Sequence, residues 1–252
     1  MVLSMDRWRG KIAVVTGASA GCGAAIAEAL VREGLHVVGL ARRKSRIEAL
    51  AQKLSSDNLH ALKCDMTLET DILEAFKWIK ATLGPVSILI NNAGLSQPNT
   101  LIGGNTQMWK TVLDTNVLGL SIATREAINQ MMENDIAGHV IHINSILGHY
   151  VAHVPNLNVY SASKFAVTAL TETLRQELVG LGSKIRITSV SPGPVDTEFG
   201  AALRGSEDWE KLYNSMPKLQ SEDVADAVVY VLSTPPHVQV HEMMIRPLGE
   251  PV

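Results

Sequence analysis

Cysteine is nearly missing. The 252-residue chain has two, Cys22 and Cys64, too few for a disulfide framework and without the C-x-x-C spacing that marks a zinc site. A reducing compartment is therefore expected, and no bound metal. Charge of either sign is not in excess: 22 basic and 25 acidic side chains leave a formal net charge of -3, with no basic patch of the kind that binds nucleic acid or an anionic membrane. Long apolar runs are absent too. Val37–Leu40 and Ile88–Ile90 fall far short of the roughly 18 residues that cross a bilayer. The first ten residues hold Asp6, Arg7, Trp8 and Arg9 and lack the apolar stretch of a secretory signal, so a cytoplasmic location is expected. No repeat, low-complexity tract or Pro/Gly linker divides the chain, and one domain spanning 1–252 is the simplest organisation.

What is there is a regular alternation. Short apolar runs at Lys11–Thr16, Leu35–Ala41, Asn58–Cys64, Val86–Asn91, His139–Asn144, Lys184–Val190 and Gln239–Ile245 read as strands buried on both faces. Between them, Gly23–Glu33, Arg46–Leu54, Glu69–Thr82, Thr106–Met132, Val159–Val179 and Glu222–Ser233 have helical spacing. Ser221 and, more weakly, Thr67 are expected to cap the helices that follow them. The fold class predicted is α/β: a doubly wound Rossmann fold with a seven-stranded parallel sheet and helices on both faces. The stretch from Pro192 to Gln220 is too long for a plain connection. It carries Phe199, Leu203, Trp209, Leu212, Tyr213 and Met216, and residues 194–220 are expected to form a lid over something apolar.

A glycine cluster follows the first strand: Thr16-Gly17-Ala18-Ser19-Ala20-Gly21-Cys22-Gly23, opening a helix. At a strand-to-helix turn such glycines allow a tight bend, let backbone approach a pyrophosphate and present N–H groups to its charge. The second strand ends in Ala41-Arg42-Arg43-Lys44, where an NAD site would carry an acidic residue. Guanidinium groups bind phosphate by charge and fork geometry, so Arg42 and Arg43 predict the 2′-phosphate of NADP(H).

Tyr160 and Lys164 lie four residues apart at a helix start, which puts phenol and ammonium on one face. A neighbouring cation would favour the phenolate and make the tyrosine a usable acid-base group. Ser145 ends a strand, where open α/β sheets place their ligands, and its hydroxyl is suited to holding a substrate oxygen. Asn116 sits in a helical run that an amide does not favour, as a surface amide, a kink or a functional group.

On these residues the chain resembles the short-chain dehydrogenase/reductase family over nearly its whole length. The motifs are the Thr16–Gly23 loop, Asn91-Asn92-Ala93-Gly94, Asn116, Ser145, Tyr160 to Lys164, and Pro192-Gly193. The Asp6-Arg7-Trp8 start, the Ser145–His149 stretch and Val231–Pro235 look most like the cytosolic animal subgroup of insect farnesol dehydrogenases and the vertebrate steroid-active dehydrogenase/reductase. The resemblance implies Tyr160 as acid-base, Lys164 lowering its pKa and bonding the cofactor ribose, Ser145 polarising the carbonyl, and Asn116 holding a water. It implies a cofactor wall of Gly17, Ser19, Ala20, Gly21, Cys22, Gly23, Arg42, Arg43, Asp65, Met66, Asn92, Ala93, Gly94, Pro192, Gly193, Val195 and Thr197 beside Tyr160 and Lys164, with Asp65 on the adenine and Asn92 on a ribose. It also implies a homotetramer or dimer through the helices bearing Asn116 and Tyr160.

The activity expected is NADP(H)-dependent interconversion of an apolar alcohol and its carbonyl, an isoprenoid such as farnesol, a steroid or a retinoid. The apolar lid residues with Ile146, Leu147, Val151, Val154 and Leu157 suggest that substrate class. Two other readings are a catalytically silent NADP(H)-binding regulator and a 3-oxoacyl thioester reductase. Cys22, at a helix start, is expected to be a small buried residue, with a thiol of lowered pKa as the alternative. His139 and His142, and His149 and His153, are not expected to hold metal; the last two suit a surface position or a substrate contact.

Overall fold

The computed structural model describes residues 3–153, 157–202 and 214–250. Seven parallel strands run β1 (Ile12–Thr16), β2 (His36–Ala41), β3 (Leu59–Lys63), β4 (Ile88–Asn91), β5 (His139–Ile143), β6 (Arg186–Pro192) and β7 (Glu242–Ile245). Their order in the sheet is β3-β2-β1-β4-β5-β6-β7. Order reverses between β1 and β4, and a doubly wound sheet binds its ligand at the carboxyl ends of the strands beside that reversal.

The inner strands are buried on both faces because helices cover both, whereas the edge strands depart from the expectation, β3 being mostly half-buried and β7 alternating exposed and half-buried residues; the inner residues divide by the two-residue period of the pleat. Ala13 and Val15 face one layer, with Ile26 and Leu30 of α1 (Gly21–Arg32), Ile47 of α2 (Lys44–Leu54) and Val224, Val228 and Val231 of α8 (Ser221–Ser233). Ile12 and Val14 face the other, with Ile72, Phe76 and Ile79 of α3 (Glu69–Thr82) and Ile122, Ala127 and Met131 of α5 (Leu120–Glu133). Each fully buried Ile or Leu in these layers contributes about 2 kcal/mol of transfer free energy.

Also helical among the described residues are α4 (Thr106–Leu113), α6 (Asn158–Gly180) and the short α7 (Glu198–Ala202), which lies in the stretch expected to form a lid. The helix expected over Thr106–Met132 is not continuous. A π turn, Asp114–Gly119, joins α4 to α5 and buries Thr115 and Asn116. Gly119 is required there, because a Cβ would stand 2.2 Å from the Met66 carbonyl oxygen.

Two caps differ from expectation. Gln220, not Ser221, caps α8, in a reciprocal box in which its backbone N donates to Asp223 Oδ2 at 2.7 Å. Leu68 precedes α3 without a side-chain cap, and Thr67 instead donates through N and Oγ1 to Asp65 Oδ1 at 3.0 and 2.8 Å. At the other end of α8, the Arg7 guanidinium and Trp8 Nε1 both donate to the Leu232 carbonyl, the latter at 2.9 Å. A terminal carbonyl and the negative end of the helix dipole are thereby satisfied together.

Candidate active site

The glycine-rich loop folds around one amide. Asn92 Nδ2 donates to the Thr16 carbonyl at 2.9 Å, and Thr16 Oγ1 accepts from the backbone N of Asn92 and of Ala93, each at 3.0 Å. Gly17 adopts a φ of +70° and Gly21 one of +53° to make the turn. A Cβ at Gly23 would lie 2.4 Å from both Asn92 Nδ2 and the Gly17 carbonyl oxygen, so this position packs the loop rather than lining the cavity. Ala20, the residue capping α1, has no side-chain oxygen to offer, and the first-turn N–H groups open on a cavity bordered by Gly17, Ser19, Ala20, Gly21 and Cys22. Bare backbone donors at a helix start without an internal acceptor suit a pyrophosphate.

That cavity has a volume of about 670 Å³ and is bordered by Arg42 and Arg43 and also by Tyr150, Phe199 and Met216. Along it lie Asp65, Met66, Asn92, Ala93, Gly94, Pro192, Gly193, Val195 and Thr197, so of the expected cofactor wall every residue but Gly23 borders it. Also bordering it, Ser145, just past the carboxyl end of β5, meets Tyr160 at the start of α6. Burial holds the Tyr160 phenol well above its ordinary value, and its hydrogen bond with Ser145 pulls the other way. Lys164 Nζ donates to the Ile143 carbonyl at 2.8 Å and lies 5.8 Å from the centre of the Tyr160 ring. Burial lowers its pKa to about 8. In the ligand-free site, then, desolvation of the phenolate is the largest influence on Tyr160.

Asn116, held inward by the π turn, does not border the cavity. Its Oδ1 accepts from Leu95 N at 2.9 Å, while Nδ2 donates to Leu95 O at 2.9 Å and to Ser163 Oγ at 3.0 Å. It ties the turn after β4 to α6, one residue from Lys164. Gly94 keeps the space between them clear, a Cβ there lying 3.5 Å from Asn116 Oδ1 and 3.9 Å from Lys164 Nζ.

A family model described as short chain dehydrogenase matches residues 11–208. The chain belongs to the short chain dehydrogenase family. It is 49% identical to farnesol dehydrogenase of Aedes aegypti over 98% of this chain and 99% of that one. It is also 49% identical to human dehydrogenase/reductase SDR family member 11, over 96% of each. Among solved structures, a serine dehydrogenase complexed with NADP+ superposes with a TM-score of 0.84 at 33% identity, covering 93% of this chain and 94% of the other. An alcohol dehydrogenase from Thermococcus sibiricus complexed with 5-hydroxy-NADP superposes at 0.83 and 27% identity, covering 97% and 99%.

This dehydrogenase departs from the sequence reading in several places. Ile146, Leu147, Leu157, Phe199 and Met216 border the cavity, but Val151 is exposed and does not. Val154, Leu203, Trp209, Leu212 and Tyr213 lie outside the described residues. Burial raises the Cys22 thiol above its ordinary value, so the low-pKa alternative for this residue is not met, although it does sit against the cavity. His139 and His142 are buried, bonded through Nε2 to Thr188 at 2.8 Å and through Nδ1 to Thr171 at 3.0 Å. No cluster with metal-ligand character occurs among the described residues. His149 is half-buried and pairs with Ser191 Oγ at 3.0 Å, while His153 is exposed; neither borders the cavity.

Several cavity residues escaped the sequence. Leu95 and Ser96 follow the Asn-Asn-Ala-Gly motif, and Tyr150 stands on the loop after Ser145. Glu250 Oε2 lies 2.9 Å from where a Gly193 Cβ would be, and it accepts from Arg246 Nε at 2.7 Å. The ring of Phe199, itself an expected lid residue, packs on Tyr160 with centroids 5.3 Å apart. Glu198, its neighbour, accepts from Arg43 at 3.0 Å and from Arg46 at 2.7 Å.

Proposed function

We propose that this dehydrogenase interconverts an apolar alcohol and its carbonyl with NADP(H), acting on an isoprenoid alcohol such as farnesol or on a steroid. The observation that carries the reading is one cavity bordered at once by Arg42 and Arg43, by Ser145, Tyr160 and Lys164, and by the apolar Ile146, Leu147, Leu157, Phe199 and Met216. The names of the two relatives and the NADP-type ligands of the two solved neighbours support it.

The loop at Gly17–Cys22 would hold the pyrophosphate, Arg42 and Arg43 the 2′-phosphate, and Pro192, Gly193, Val195 and Thr197 the nicotinamide. When bound, the nicotinamide supplies the hydride chemistry. Ser145 donates to the substrate carbonyl oxygen and fixes its position. Tyr160, kept neutral by burial, gives its proton to that oxygen as the carbonyl is reduced, and as phenolate takes it back when the alcohol is oxidised. Lys164, with a pKa of about 8, is mainly ammonium at pH 7 and stabilises the phenolate in either direction. Asn116 positions the Leu95 turn and α6 around that ammonium.

The same reading takes 1–252 as one dinucleotide-binding domain with a lid around 194–220, working in the cytoplasm as a tetramer or dimer. Exposed Leu113, Leu118 and Phe165, on or beside the helices that carry Asn116 and Tyr160, suit such a contact. No helix among the described residues is long and apolar enough to cross a membrane.

The test is absorbance at the reduced-nicotinamide band with purified protein, farnesol or a hydroxysteroid, and NADP+ or NAD+, beside Tyr160→Phe. Turnover with the phosphorylated cofactor, lost in the variant, is expected. Faster turnover of polar sugars or short polyols, or undiminished turnover by Tyr160→Phe, would overturn the assignment.

A further inference from the structure

We propose that Glu198 is an internal competitor for the 2′-phosphate subsite, its carboxylate occupying Arg43, one of the arginines that the cofactor phosphate must engage. The inference rests on the assignment of that subsite to Arg42 and Arg43. Glu198 opens α7, and both of its oxygens are used: Oε1 by Arg46 at 2.7 Å, Oε2 by Arg43 at 3.0 Å. The other terminal nitrogen of Arg43 reaches Ser19 Oγ of the glycine-rich loop at 3.5 Å. Arg43, Ser19 and Glu198 all border the cavity. Two guanidinium groups converging on one acceptor form the arrangement that recognises a phosphate, here satisfied from within the chain. Hydrogen bonds from the two arginines hold the Glu198 carboxyl below its ordinary pKa, so it is charged at neutral pH.

A phosphate carries about twice the charge of a carboxylate and more acceptor oxygens, so it takes the arginines from Glu198. It must first displace that carboxylate and then remain close to it, both of which weaken binding. A dinucleotide without the 2′-phosphate has no claim on Arg43 or Arg46 and leaves the pair intact. Glu198 therefore penalises the phosphorylated cofactor alone and narrows a preference that Arg42 and Arg43 would otherwise widen. The pair is about half exposed to solvent, with side-chain exposures of 46–59%, which limits the effect to several-fold.

Isothermal titration of the wild-type chain and Glu198→Gln with NADPH and with NADH tests this by binding alone. The amide keeps the size of the side chain and removes its charge. Expected is NADPH binding about 3- to 10-fold tighter in Glu198→Gln, with NADH changed less than about 2-fold. Unchanged or weaker NADPH binding, or an equal gain for both cofactors, overturns the proposal while leaving the arginine assignment standing. A wild-type chain that binds NADPH no more tightly than NADH removes the assignment itself, and the proposal with it.

Discussion

Replacing Lys164 with methionine is expected to stabilise the ligand-free protein at neutral pH while ending catalysis. The ammonium is buried, and burial brings its pKa from 10.5 to about 8. Between those values the unfolded chain binds this proton more readily than the fold does, so stability rises with pH. The lysine's contribution is complete above 10.5 and is lost as pH falls through about 8. At pH 7 the buried charge costs about 3 kcal/mol, and at pH 9.5 about 1 kcal/mol. Methionine retains most of the packing of the stem but deprives the Ile143 carbonyl of its 2.8 Å donor, which returns about 1 kcal/mol of cost. A net gain of about 2 kcal/mol at pH 7, shrinking to near zero at pH 9.5, follows. Urea unfolding of both proteins at the two pH values measures it, and Tyr160, raised by burial, does not ionise in that window. A stability difference between the two proteins that is independent of pH would refute the reasoning.

Other perturbations probe other parts. Gly23→Ala drives a methyl to within 2.4 Å of Asn92 Nδ2 and the Gly17 carbonyl, and should cost about 1–3 kcal/mol by thermal melting and at least 10-fold in NADPH affinity by titration. Arg186→Met removes a guanidinium whose burial, lowering its pKa from 12.5 to about 10, costs about 3 kcal/mol at pH 7, and with it the donor to Val238 O at 2.8 Å and Thr234 Oγ1 at 3.1 Å, worth about 1 kcal/mol each, so stability by urea unfolding should change by less than about 2 kcal/mol; a loss above about 4 kcal/mol would contradict this balance. Iodoacetamide at pH 7.5 should label Cys22 more slowly than a small free thiol, since burial disfavours the thiolate; mass spectrometry of the labelled peptide measures the rate, and faster labelling would contradict the structure.

The strands were legible because a parallel sheet covered on both faces needs continuous apolar runs, and each of the seven falls on the stretch expected of it. The family motifs were legible because they are local: loop, Tyr160 to Lys164, Ser145 at a strand end. What escaped depends on distance or on environment. Glu198 meets Arg43 across 155 residues of sequence, and no local pattern marks the pair. Glu250 over Gly193 is a second such contact. Burial of Tyr160 is illegible for a different reason: spacing shows that a cation is near, but only the fold shows how completely the phenol is removed from water. Gln220 was missed as a cap because glutamine rarely serves as one, and here it relies on Asp223 to complete the box.

The π turn at Asp114–Gly119 sets the phase between two helices that would otherwise form one rod. A π turn winds in more residues than an α turn, and each residue of an α-helix advances the face by about 100°. Removing one residue from this turn would therefore do more than swing Asn116 out of its bonds. It would rotate α5 against the sheet and carry Ile122, Ala127 and Met131 off the layer they fill. Because the geometry around Lys164 and the packing of one whole face share this single irregularity, a chain that lost it would lose its core along with its site, and its position in the helix is closed to gradual drift.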